Sequence, residues 1–253
     1  MVYDIVTVRG TGEPQSGQDN MLGLVTAKLD PTRFRVLADC QYPASIGVAN
    51  QTFNPTGPSE DESVKEAIAS LAALIRSTPN KVGIIGYSLG AEAVSRFLEA
   101  QAGGQFADCE LAFSACVANP LRRVGDSIDP NPQGFGINGQ MQAEPPNPHF
   151  ECANVHDGIT SCPGDSPLRG IADVVSDFGL TQIGGWSQDL VNRMLERRWQ
   201  PANWGSLLHP IKTWERYQTA ADLVAGYLGG QHTTVYTQGM TDRLADVINR
   251  VVD

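Results

Sequence analysis

Residues 82–90 read Val-Gly-Ile-Ile-Gly-Tyr-Ser-Leu-Gly, and the fold class follows from this stretch. Residues 82–85 are apolar without alternation, as in a strand covered by helices on both faces of a parallel sheet. The next five residues, Gly86-Tyr87-Ser88-Leu89-Gly90, fit G-x-S-x-G, in which glycines permit a sharp strand-to-helix turn that exposes the serine hydroxyl. So short a pattern also arises by chance, and its context decides. Here a buried strand precedes it, and a helix with Val94, Phe97 and Leu98 on one face follows.

Working outward, residues 3–8 form a β-branched run that ends at the Gly-rich loop Arg9-Gly10-Thr11-Gly12-Glu13-Pro14. A helix-like stretch covers about residues 19–29, and a second strand begins at Phe34. Residues 61–77 place Val64, Ile68, Leu71 and Ile75 on one helical face. Residues 111–117 read as a strand, residues 119–148 as a long Pro- and Gly-rich loop, and residues 150–155 as a last core strand. This alternation predicts an α/β domain with a central, mainly parallel sheet between two helical layers. A terminal helix over 239–252 carries the stripe Met240, Leu244, Val247, Ile248 and Val251. Residues 163–231 differ in character. They are near neutral in charge and hold all four tryptophans, Trp186, Trp199, Trp204 and Trp214. We read them as a helical insertion into a core formed by 1–162 and 232–253.

The 253 residues, 41% apolar and 18% charged, can fill one core, which excludes a disordered or fibrous chain. A net charge of -10 repels phosphate-rich partners, so nucleic acid is not an expected ligand. No apolar run has the roughly 20 residues of a membrane span. Met1-Val2-Tyr3-Asp4 leads straight into a strand-like run without the regions of a secretory signal, so synthesis in a cytoplasm is expected. The five cysteines form no CxxC and have no His-rich partner segment, so no metal is expected.

A serine hydroxyl becomes a useful nucleophile when a histidine takes its proton and a carboxylate orients that histidine. Four histidines compete: His149, His156, His209 and His232. In chains with this elbow the acid and then the base follow the serine, which favours the later ones. His232, in a Gly-rich loop just ahead of the terminal helix, is the candidate base, whereas His209 precedes a proline within the insertion. For the acid, Asp157 follows a strand-like run, and Asp165 is its rival. Either aspartate can instead be a turn former. Two backbone N–H groups are needed for the developing oxyanion. Leu89 supplies one by position, and Thr11 is the candidate for the other.

At this point the residues resemble the cutinase family of α/β hydrolases, and within it the lysin B esterases of mycobacteriophages. The likeness is carried by residues 8–14, the block around Ser88, Asp157-Gly158-Ile159 between Cys152 and Cys162, and Gly230-Gln231-His232-Thr233. Tyr42-Pro43-Ala44 and Ala118-Asn119-Pro120-Leu121-Arg122 add to it. It implies a three-layer α/β hydrolase with Ser88, His232 and Asp157 as catalytic residues, Asp157 rather than Asp165 as the acid, and Thr11 and Leu89 as the oxyanion hole. It also implies a serine esterase without a cofactor, cleaving the ester between mycolic acids and arabinogalactan, made in a host cytoplasm and acting at the cell envelope during lysis. The rival readings are a lipase or acyltransferase on other lipids, and an inactive hydrolase fold that binds wall lipid. Family members commonly carry Gln after the nucleophile. Leu89 stands there, so side-chain bracing of the oxyanion loop is not expected. The pairing of Cys152 with Cys162 stays open. The four tryptophans are a candidate platform for a long acyl chain or, equally, ordinary packing of the insertion.

Overall fold

The computed structural model describes residues 2–15, 19–46, 57–130, 132–169 and 210–252. Five parallel strands, β1 (Tyr3–Val8), β2 (Phe34–Asp39), β3 (Val82–Tyr87), β4 (Leu111–Val117) and β5 (His149–Cys152), form one sheet in the order β2-β1-β3-β4-β5. Helices α1 (Met21–Thr26) and α5 (Thr241–Val251) cover one face, and α2 (Glu60–Arg76) and α3 (Leu89–Ala102) cover the other. Helix α4 (Pro210–Leu228) lies in the second half of the expected insertion, and residues 170–209 lie outside the described residues.

The apolar run of β3 divides between the layers. Val82 and Ile84 join the cluster made with Leu71, Val94 and Phe97, while Ile85 and Tyr87 join that made with Leu22, Leu244 and Ile248. Every residue of β1 and β3 is buried, so alternation with polar residues is absent. Each large side chain buried here contributes about 1.5–3 kcal/mol of transfer free energy. Helix α2 starts where Ser59 and Glu62 form a reciprocal cap: the Glu62 amide donates to Ser59 Oγ at 3.3 Å and the Ser59 amide donates to Glu62 Oε2 at 3.0 Å.

The terminal helix starts later than its apolar stripe implied. Gln238 and Gly239 (φ 97°) break the helical path within residues 236–240, and α5 begins at Thr241. It buries Leu244, Ala245 and Ile248, whereas Val251 is half exposed at 51%. The last strand is also shorter than residues 150–155, because the chain leaves the sheet after Cys152 to build the loop that holds Asp157. All five cysteines are free and buried, and Cys152 and Cys162 belong to different apolar clusters. Among the described residues no helix is long and apolar enough to cross a membrane.

The strand order reverses direction between β1 and β3. In open parallel sheets a ligand binds beyond the carboxyl ends of the strands at such a switch point. Both loops that leave this point, residues 9–14 and the turn at Ser88, were the motifs singled out in the sequence.

Candidate active site

Ser88 sits between β3 and α3 with φ 53° and ψ -119°, a strained conformation for a residue with a side chain. The strain is held by close packing at the two glycines of the motif. A Cβ on Gly90 would lie 1.9 Å from the Val8 carbonyl oxygen, and one on Gly86 would lie 2.5 Å from the Gly90 carbonyl oxygen. Only glycine lets α3 start directly against β1 and turn back this sharply. The Ser88 amide donates to the Val117 carbonyl at 3.0 Å, and its own carbonyl accepts from Ala91 and Glu92 as the helix begins.

Ser88 Oγ lies 2.8 Å from His232 Nε2, and His232 Nδ1 lies 2.8 Å from Asp157 Oδ2. The three predicted residues, drawn from loops 144 and 75 positions apart, thus form one continuous chain of contacts. Asp157 is fully buried and His232 is 5% exposed, so water competes weakly for these bonds. Asp157 Oδ1 accepts from the Ile159 amide at 3.0 Å. Asp165 is not part of this arrangement: its side chain is largely exposed and pairs with Arg216 at 3.0 Å. His156 is exposed, His149 lies on β5, and His209 is outside the described residues.

Three tyrosines that the sequence reading passed over complete the setting of the histidine. Tyr236 donates its hydroxyl to Asp157 Oδ2 at 2.8 Å and accepts from the Asn154 amide at 3.1 Å. Tyr87 donates to the His232 carbonyl at 2.9 Å and stacks on its ring at 5.7 Å between centroids. Tyr227, near the end of α4, stacks on the same ring at 5.3 Å, so this helix reaches the centre of the site. Burial pushes the Tyr227 phenol up to about 12 and raises Tyr87 and Tyr236 well above their ordinary value, so all three stay neutral beside the imidazole. Such tyrosines give no periodic or motif signal in a sequence.

The 9–14 loop is braced after all, by its own side chains. Arg9 donates to the Glu13, Cys40 and Tyr42 carbonyls at 3.0, 3.0 and 2.6 Å, and the Tyr42 hydroxyl donates back to the Arg9 carbonyl. The Glu13 carboxylate accepts from the Gly10 amide at 2.7 Å and the Met21 amide at 2.8 Å. Burial raises the Glu13 carboxyl while these two amides act the other way. Neither the Thr11 nor the Leu89 amide is engaged by a backbone acceptor among the described residues. Leu89 opens α3 directly after the serine, and the Val8 and Arg9 carbonyls that precede the Thr11 loop pack against Gly90 in the first turn of that helix. No group of three metal-ligating side chains surrounds Ser88 among the described residues. Trp186, Trp199 and Trp204 lie outside the described residues, as does the side chain of Trp214 on α4.

No family model matches the chain, and no curated protein sequence does. Among solved structures, lysin B from Mycobacteriophage D29 is 16% identical, with a TM-score of 0.56 over 99% of this chain and 100% of that one. An acetylxylan esterase (16% identical, TM-score 0.47, covering 73% of this chain and 97% of that one) and a cutinase-like protein from Cryptococcus sp. (15% identical, TM-score 0.40, covering 91% and 95%) also match. The likeness to lysin B spans both chains almost from end to end. The chain has a three-layer α/β hydrolase fold, shared with lysin B.

Proposed function

We propose that the chain is a serine carboxylic ester hydrolase, with Ser88 as nucleophile, His232 as general base and acid, and Asp157 as the carboxylate that orients it. The observation that carries this reading is the unbroken contact chain from Ser88 Oγ through His232 to Asp157 Oδ2, 2.8 Å at each step, at the switch point of the sheet.

With Nδ1–H directed at Asp157, His232 Nε2 takes the Ser88 proton as Oγ attacks the ester carbonyl carbon. The carbonyl oxygen becomes an oxyanion facing the amides of Thr11 and Leu89. Each such donor typically contributes a factor of about 100–1,000 in turnover. His232 then protonates the departing alkoxide, leaving an acyl-serine. A water molecule, deprotonated by the same Nε2, attacks the acyl carbon and frees Ser88. Buried Asp157 stabilises the imidazolium in both halves and needs no proton of its own. This chemistry requires no cofactor.

The substrate we propose is the ester between mycolic acids and arabinogalactan of the mycobacterial wall, with action at the cell envelope during lysis. Support comes from the sequence resemblance at the loops of residues 8–14, 86–90, 157–159 and 230–233, and from a fold shared with lysin B over the whole chain. The test has two arms. Hydrolysis of p-nitrophenyl butyrate by the wild type and not by Ser88→Ala supports the esterase, and unchanged turnover in the variant overturns it. Release of mycolic acids from isolated mycobacterial wall supports the substrate. Esterase activity without such release assigns the chain to other lipid esters.

A further inference from the structure

On the α3 side of the sheet the parallel register sets Ser114 opposite His149 and Cys116 opposite Glu151. The Cys116, His149 and Glu151 donor atoms lie within 4.8 Å of one another. His149 Nε2 is 3.0 Å from Glu151 Oε1, and its Nδ1 is 2.7 Å from Ser114 Oγ. Asn119 donates to the same Glu151 oxygen at 2.7 Å. The other carboxylate oxygen, Oε2, is buried without a hydrogen-bond partner, although Glu151 is only 2% exposed. An unsatisfied buried polar atom costs about 1–3 kcal/mol. None of these groups takes part in the ester chemistry proposed above.

We propose that Cys116, His149 and Glu151 form a structural binding site for a divalent cation of the zinc class. One sulfur, one imidazole nitrogen and one carboxylate are the donors that zinc accepts, and water can complete a tetrahedron. In such a tetrahedron neighbouring donors stand about 3.3–3.7 Å apart. The 3.0 Å gap between His149 and Glu151 is already close to that, and the thiol reaches it by a modest swing away from the Ala91 carbonyl, its present partner at 3.7 Å. Without a cation a proton occupies the gap. On binding, the metal–sulfur bond forms and the thiol proton leaves to solvent, while the metal replaces the Nε2 proton and the imidazole carries its one proton on Nδ1, facing Ser114 Oγ. The complex of a dication with one thiolate, one carboxylate and a neutral imidazole carries no net charge, which suits a buried position. With the carboxylate bound through both oxygens, Glu151 Oε2 gains the partner it lacks while Oε1 keeps its bond from Asn119. Ser114 would hold the Nδ1 side of the ring and Asn119 the carboxylate, the outer contacts that tune a metal ligand.

The site would tie β5, at the end of the sheet, to β4, just before the chain enters the Asp157 loop. It escaped the sequence reading because its ligands are spaced by strand pairing rather than by a local motif. The test is titration of chelator-treated, reduced full-length protein with Co2+, read by thiolate-to-cobalt charge-transfer absorption, then displacement with Zn2+. The expected result is one equivalent of absorption that Zn2+ abolishes, together with a Zn2+-dependent rise in melting temperature. Cys116→Ala should lose the band, and Cys40→Ala should keep it. Glu151→Gln, which tests the site even if Cys116→Ala fails to fold, should weaken Co2+ binding at least about tenfold. Absence of the band in the wild type, its survival in folded Cys116→Ala, or unchanged affinity in Glu151→Gln would overturn the site.

Discussion

Tyr236 and His232 meet on a single atom: the phenol and the imidazole Nδ1 both lie 2.8 Å from Asp157 Oδ2. A carboxylate oxygen that receives two bonds is held more firmly than one that receives only the histidine's. Tyr236→Phe keeps the buried ring and removes one donor. The expected result is a fall in kcat of about tenfold with KM little changed, together with about 1–3 kcal/mol of lost stability, because the Asn154 amide also loses its acceptor. Steady-state kinetics and urea unfolding of the variant check both parts.

The choice between the two aspartates is a matter of burial. Asp157→Asn should lower turnover by about three or more powers of ten, because the amide can hold the wrong imidazole tautomer. Asp165→Asn, at an exposed position paired with Arg216, should change turnover less than about twofold and stability by about 0–1 kcal/mol. Reversal of this order in p-nitrophenyl ester assays would move the acid.

Gly90→Ala tests the packing that shapes the elbow. The added methyl would meet backbone, the Val8 and Arg9 carbonyl oxygens at 1.9 and 2.5 Å, and neither can rotate away. Loss of more than about 3 kcal/mol, or failure to fold, is expected in thermal unfolding.

Glu60 and Glu92 share the Asn138 amide, which donates to them at 2.8 and 2.9 Å. Burial, reinforced by the Glu92 carboxylate, lifts the Glu60 carboxyl from 4.5 to about 8. The folded chain therefore holds a proton that the unfolded chain releases. This contribution to stability is full below about 4.5 and is lost as pH rises through about 8. Melting temperature should fall across that window, and Glu60→Gln should flatten the slope.

The legible parts of the molecule were those in which one local stretch carries the whole signal. Residues 82–90 announce a buried strand, an elbow and a helix because β3 is apolar on both faces and the glycines are obligatory there. The order of serine, acid and base favoured the later histidines, and the Gly-rich loop just ahead of the terminal helix singled out His232. Contacts made across the fold were not legible. Arg9 and Glu13 look like solvated charges in a Gly-rich loop, yet both fold inward onto backbone groups of that loop and its neighbours. Tyr227 and Tyr236 are single aromatics whose value lies in what the topology sets beside them. The terminal helix was placed too early because apolar periodicity does not register the break at Gln238 and Gly239.

The measurement that bears most directly on the central claim is peptide mass mapping of the folded protein after treatment with a fluorophosphonate, which reacts with serines activated by a neighbouring histidine. The account predicts one adduct per chain, on Ser88, lost in Ser88→Ala and strongly slowed in His232→Ala. A folded wild type that takes no label, or takes it on another residue, would contradict it.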